Sequence, residues 1–220
     1  MKIFLAVLFL IVSGQVFGEN KSVYQIKNYP FEEKTLKIEI SKMWKEGWYP
    51  RGISSDGKSQ VAVLYLKADF PLYTDWLLRV SSAAAPASLK QAAMNDAKNG
   101  WLPADITVAG GKTIYLFLKP KELIRIWEGG NGVPEIFTLE PNPIMPTEAD
   151  YAPYALFFQN GKPCTFKYTP SGGTELTWQI VIYSGEAECL EGIDKMVELG
   201  YQAWGIEQNG GAMTVLFVKY

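Results

Sequence analysis

Trp48-Tyr49-Pro50-Arg51-Gly52-Ile53, Trp101-Leu102-Pro103-Ala104-Asp105-Ile106, Tyr151-Ala152-Pro153-Tyr154-Ala155-Leu156 and Tyr201-Gln202-Ala203-Trp204-Gly205-Ile206 are four versions of one hexad. Their leading aromatics step by 53, 50 and 50 residues. Three other series keep the same register. Tyr24, Trp76, Trp127 and Trp178 step by 52, 51 and 51, and Gly57, Gly111, Gly161 and Gly211 by 54, 50 and 50. Lys67, Lys119, Lys167 and Lys219 step by 52, 48 and 52. A fixed period of this size marks a repeated supersecondary unit. The expected division is an export segment at 1–18 followed by units at 19–68, 69–120, 121–170 and 171–220.

Each unit opens with a strand: Val23 to Ile26, Trp76 to Val80, Leu123 to Trp127 and Thr177 to Tyr183. A helix follows in three of the four. Leu36, Ile40, Met43 and Trp44 form one helical stripe, as do Leu89, Ala92, Ala93 and Ala97, and again Leu190, Ile193 and Val197. Gly47, Gly100 and Gly200 stand where a helix would end in a left-handed residue. The hexad then starts a hairpin turning at Asp56-Gly57, Gly110-Gly111, Asn160-Gly161 and Gly210-Gly211. The closing strands Val61–Leu66, Ile114–Leu118 and Val215–Val218 are apolar without alternation, which asks for cover on both faces. One helix covers one face, so the other face must meet another unit.

The fold class expected is therefore α+β: four tandem strand-helix-strand-strand units with antiparallel sheets, the third lacking its helix. Two packings compete, a pair of back-to-back bodies and a closed ring of four. The first is preferred, because a closing strand needs a partner sheet. The layout resembles the strand-helix-strand-strand modules that are duplicated in small-ligand-binding proteins. Gly47-Trp48 and Gly100-Trp101, with Gly200-Tyr201 as a variant, together with an aromatic-X-Lys strand end, are similar to a small bacterial family of unknown function with a Gly-Trp-Glu-Leu motif. No copy here carries the Glu-Leu. The resemblance covers fold-forming positions, implies ligand binding by analogy, and transfers no catalytic residue.

The third unit breaks the pattern. Pro134, Pro141, Pro143 and Pro146 fall between Trp127 and Tyr151, and an interior proline costs a helix about 3 kcal/mol. An irregular excursion is expected there. Its Ile136, Phe137, Leu139, Ile144 and Met145 either pack on the sheet in place of the helix or face a groove. Long irregular segments inside compact domains are often binding elements. Ile136, Phe137, Ile144 and Met145 are accordingly candidate ligand- or partner-binding residues. Trp204 joins them, read as standing where Pro50, Pro103 and Pro153 stand in the other hexads.

Composition narrows the chemistry. The 220 residues carry no histidine, which removes histidine-based nucleophile systems and histidine-ligated metals. A formal net charge of −2 argues against nucleic acid as a partner. Met1-Lys2 and the apolar run Ile3–Val12, closing on Val16-Phe17-Gly18, read as an export signal too short to span a bilayer. Removal of the signal would leave a periplasmic or secreted protein with no membrane insertion. Cys164 and Cys189 either pair as a disulfide, worth about 3 kcal/mol, or remain two buried thiols.

The remaining candidates read as structural. Trp48, Trp101, Tyr151 and Tyr201 recur at one position and so belong to helix–sheet packing. The serial lysines return strand ends to water. Asp105, Glu148, Asp150 and Glu207 are the acid/base candidates, expected at the solvated surface. Gly129-Gly130 and Gly172-Gly173 lack the sequence context of a phosphate loop. Asn20-Lys21-Ser22 is a glycosylation acceptor only in a eukaryotic host.

No metal or other cofactor is called for. The expected function is a non-enzymatic protein binding a small ligand or a protein at a unit junction beside residues 133–149. An envelope-assembly component is the first alternative, and a carboxylate-dependent hydrolase the second.

Overall fold

The computed structural model describes residues 23–68, 73–82, 100–121, 135–138, 152–159, 162–168 and 177–219. The expected export signal, the Leu89–Ala97 helix and the Leu123–Trp127 strand fall outside them. The protein is a mixed α+β structure. In chain order its elements are β1 (Tyr24–Pro30), α1 (Glu33–Lys45), β2 (Trp48–Ser55), β3 (Gln60–Lys67), β4 (Tyr73–Ser81), β5 (Leu102–Ala109) and β6 (Lys112–Pro120). They continue as β7 (Glu135–Thr138), β8 (Ala152–Gln159), β9 (Lys162–Tyr168), β10 (Thr177–Tyr183), α2 (Glu186–Glu198), β11 (Gln202–Asn209) and β12 (Ala212–Lys219).

The described strands pair into three-stranded antiparallel sheets of order β1-β3-β2, β4-β6-β5, β7-β9-β8 and β10-β12-β11. In each, the last strand in sequence lies in the middle and the second lies at an edge. Among the described residues, helices occur in the first and fourth of these segments, between the first and second strands. The hairpin turns need glycine for its backbone. At Gly110-Gly111 and Gly210-Gly211 both central residues have positive φ, the requirement of a two-residue turn that keeps strand twist.

The greasy middle strands are covered on both faces, as their composition demanded. Val61, Val63 and Tyr65 of β3 share a core with Leu36 and Ile40 of α1 and with Leu78, Ile114, Leu116 and Leu118 of the second sheet. The alternate residues Ala62 and Leu64 share a different core with Cys189, Ile193 and Met196 of α2. Each described helix is thus a wedge between its own sheet and the next, with the fourth segment's helix reaching β1. Side chains alternating across a strand make the two cores possible. The buried stripe of α2 is Cys189, Ile193 and Met196, turned slightly from the expected one, with Leu190 and Val197 at its margin.

The four second strands follow one another in a cycle: β2 lies against β5, β5 against β8, β8 against β11, and β11 against β2. This is the closed arrangement and not the preferred pair of back-to-back bodies. A helix wedge supplies the partner surface that the pairing was invoked to provide.

The expectation for the third segment also needs correction. Ile136 and Phe137 belong to the regular strand β7 and not to an irregular excursion. Glu135 stands opposite Lys167, as Asp75 stands opposite Lys119 and Thr177 opposite Lys219. Ile136 therefore holds the place of Trp76 and Trp178, a place the even spacing had assigned to Trp127. A short run of β-favouring residues won pairing that the period alone placed earlier.

The recurring lysines do more than return strands to water. Lys67 lies over the Trp48 ring at 5.2 Å, Lys119 over Trp101 at 5.7 Å and Lys219 over Tyr201 at 5.5 Å. Lys67 also donates to the Glu46 carbonyl, and Lys219 donates to the Leu199 carbonyl at 2.8 Å. These carbonyls lie at helix C-termini, where a cation is favoured. In these three pairs the aromatic is thus held by the lysine of its own sheet.

Gly192 lets α2 pack tightly against Tyr183 of its sheet. A Cβ there would lie 2.1 Å from Cε1 of the buried Tyr183 ring. Alanine normally favours a helix interior by about 1 kcal/mol over glycine. Here Gly192→Ala is expected to destabilise by about 1–3 kcal/mol through overpacking. Urea unfolding measures this, and a stabilised variant would contradict the packing.

Candidate functional site

Inner strands of a closed ring have a difficulty that their sequence does not announce. β2, β5, β8 and β11 are sheet edges, so some of their amides face the centre with no ladder partner. A buried N–H without an acceptor costs about 1–3 kcal/mol. One carboxylate answers four of them. Asp105 Oδ2 accepts from the amides of Ile53 and Ile206, and Oδ1 from those of Ile106 and Leu156, each at 3.0 Å. Every inner strand contributes one of these donors.

Space for the carboxylate comes from small residues. Ile53, Ile106, Leu156 and Ile206 are the sixth residues of the four hexads, and Gly52, Asp105, Ala155 and Gly205 are the fifth. A Cβ on Gly52 would lie 2.9 Å from the Ile206 nitrogen and 3.0 Å from Asp105 Oδ2. On Gly205 it would lie 3.0 Å from the Leu156 nitrogen. The signal was visible in the hexads, as one aspartate among three small residues. It was missed because candidate carboxylates were weighed in pairs and expected at the surface.

Glu207 is the second correction to that expectation. Asp105 is fully buried and Glu207 is 7% exposed. Thr107 donates to Glu207 Oε1 at 3.3 Å, while Oε2 has no hydrogen-bond partner. The Ser54 hydroxyl also acts on this carboxyl, though its geometry stops short of a hydrogen bond. Burial, and after it the Asp105 charge, push Glu207 well above the ordinary carboxylate range. Burial pushes Asp105 well above the ordinary carboxylate range too, and the amides of Ile206, Ile53, Ile106 and Leu156 offset only part of that. Because all four of those neighbours are donors, a proton on either oxygen would meet an amide hydrogen. The four donors thus favour the charged form of Asp105 against its burial, and Glu207, with Thr107 as its donor, takes a proton more readily. With both Asp105 oxygens engaged by the backbone, this pair does not offer the exposed acid and base that a hydrolase needs. Glu148 and Asp150 lie outside the described residues.

The bulges of the inner strands bring together a different group. The register of β2 slips between Pro50 and Gly52, and that of β11 between Ala203 and Gly205. A bulge re-aims the extra residue, and those extra residues are Arg51 and Trp204. Ala203, and not Trp204, holds the position of Pro50 and Pro103, since it faces Phe217 as they face Tyr65 and Phe117. Trp204 is thus the counterpart of Arg51. The two meet where β11 lies against β2, with the guanidinium carbon 5.3 Å from the Trp204 ring and 5.7 Å from that of Tyr73.

Arg51 is 9% exposed, and its Nη1 donates to the Tyr73 hydroxyl. Its Nε is buried without a hydrogen-bond partner, and no carboxylate among the described residues lies within salt-bridge reach. Tyr49 packs edge-on against Tyr73 at 5.7 Å, and the Tyr24 hydroxyl, accepting the Ala203 amide at 3.2 Å, feels the Arg51 charge. The group spans the junction of the first, second and fourth sheets. Sequence reasoning selected Trp204 but missed Arg51, although both are fourth residues of their hexads.

Ile144 and Met145 lie outside the described residues, and β7, which carries Ile136 and Phe137, is in the third sheet. Cys164 and Cys189 are both buried, and no disulfide joins them. Burial, then Glu186 and Glu188, push the Cys189 thiol up to about 12, so it stays protonated. Among the described residues no helix is long and apolar enough to cross a membrane, and no acidic or cysteine cluster has the makings of a metal site. No family model matches the chain, and a search of curated proteins finds no match.

Proposed function

We propose that the chain is an exported, non-enzymatic binding protein: four related strand-helix-strand-strand modules closed around the Asp105 carboxylate, with the binding site where Arg51, Trp204 and Tyr73 meet. The common strand order of the four sheets, the parallel roles of the hexads and the cyclic contact of the inner strands support the repeat. The third module, in this reading, keeps its three strands and replaces its helix with the proline-rich connection between β7 and β8. Export is supported by the charged start and apolar run of residues 1–18. The junction replaces the region beside 133–149 as the site.

One observation carries the binding reading. A guanidinium buried against two aromatic rings, with no carboxylate among the described residues to neutralise it, is costly to hold in a protein interior. Such an expense is retained where it serves recognition, and aromatic walls around a few polar groups are the common makeup of a ligand site. The test is retention of small molecules by residues 19–220, immobilised and exposed to extract from the outer compartment of the source cells. Mass spectrometry should find compounds held by the wild type and lost from Trp204→Ala. Equal retention by both proteins would remove this site.

A further inference from the structure

The junction's own chemistry selects among ligands. Resting on the reading of this junction as a binding site, we infer that its ligand is a small monoanionic carboxylate carried on an apolar or aromatic body. Arg51 is its counter-charge, and Trp204 and Tyr73 are the walls for that body.

The charge is the first argument. Arg51 brings one positive charge, and among the described residues no lysine or second arginine shares the contacts that frame it. A carboxylate brings one negative charge and the planar, two-oxygen edge that a guanidinium fork fits. Phosphate at neutral pH carries closer to two charges, one of which would stay uncompensated beside the rings. The donors are the second argument. Nη1 is spent on Tyr73, whose hydroxyl oxygen accepts that bond and keeps its own hydrogen to give to an incoming oxyanion. Arg51 Nε remains unsatisfied. The walls are the third. Trp204 and Tyr73 are both half-buried, so they present ring surface to a ligand while their remaining area is packed.

The position in the chain fits this use. Arg51 is held at a bulge of an inner strand whose next residue, Gly52, abuts Asp105, so its backbone is anchored at the centre of the molecule. A guanidinium on so fixed a base loses little freedom when an anion arrives.

The experiment titrates residues 19–220 with benzoate, hexanoate, benzamide and inorganic phosphate, reading calorimetry and the indole N–H resonance of Trp204. At least one of the two carboxylates should saturate, shift the Trp204 resonance, and bind about tenfold or more tighter than benzamide. Arg51→Met should lose that preference by about tenfold or more while its melting temperature holds or rises, since an apolar chain then replaces an unneutralised charge. Should Arg51→Met fail to fold, Arg51→Lys keeps the charge without the fork and should still weaken carboxylate binding. Benzamide binding as well as benzoate, with both lost in Trp204→Ala, would overturn the anion assignment and leave the binding site standing. Phosphate binding tighter than either carboxylate would overturn the monoanion. Absence of any carboxylate preference, or its persistence in both Arg51 variants, would overturn the inference outright.

Discussion

Asp105→Asn is expected to lower stability by about 3–5 kcal/mol, because an amide in that place has one acceptor oxygen and one donor nitrogen for four incoming N–H groups. Two of the amides from Ile53, Ile106, Leu156 and Ile206 would face the new NH2, donor against donor. Folded domains are stable by only about 5–15 kcal/mol, so this is a large share of the total. Thermal unfolding should show a fall of about 10 °C or more for a chain of this size. Asp105→Ala, which orphans all four amides, should go further and yield little soluble protein. A melting temperature for Asp105→Asn within about 2 °C of the wild type would mean that the inner edges are satisfied in another way, and the central role of the carboxylate would be lost.

The second large effect comes from the room around that carboxylate. Gly52→Ala would place a methyl 2.8 Å from Ile206 Cγ2 and 2.9 Å from the Ile206 nitrogen. One of the obstructing atoms is backbone, so a rotamer change cannot relieve the contact. The strands must separate, which stretches the Ile206 bond to Asp105. The combined cost is about 2–4 kcal/mol. Gly205→Ala, whose methyl would lie 2.9 Å from Leu156 Cβ, should behave alike. Neither glycine is needed for a positive φ, in contrast to Gly111 and Gly211 at the hairpin turns, where an added Cβ meets nothing. The two kinds of glycine separate in a measurement. Gly52→Ala should lose much less stability in an Asp105→Asn background than in the wild type, since both changes spoil the same bonds. Additive losses would show that the glycine and the carboxylate are independent.

A ring sealed by a carboxylate has a consequence for sheet edges. An unpaired inner edge is ordinarily a liability for aggregation. Here four edges converge, and the charge they share would be intolerable without the donors. Donors and charge therefore make sense only together.

Much of this molecule was legible in its residues. The hexads placed the start of β2, β5, β8 and β11, and the Gly-Gly pairs placed two turns, because local backbone demands act within a few residues. The unalternating strands Val61–Leu66 and Val215–Val218 announced cover on both faces, because burial leaves its mark on composition. The stripe of α1 was right for the same reason. Even spacing then misled at β7. Trp127 stands the usual distance before Tyr151, but the outer strand of the third sheet is Glu135–Thr138. Only residues 139–151 separate it from β8, against 31–47 between β1 and β2. Period counts residues, and pairing counts hydrogen bonds.

What the sequence determined alone is the local grammar: strands, turns, helix ends and the need for burial, each decided by neighbours in the chain. What only the tertiary structure decided is the meeting of Asp105 with amides from β2, β8 and β11, and of Arg51 with Trp204 and Tyr73. Those groups are far apart in sequence, and their energies depend on distances and on the exclusion of water. Both conditions exist only once the ring has closed.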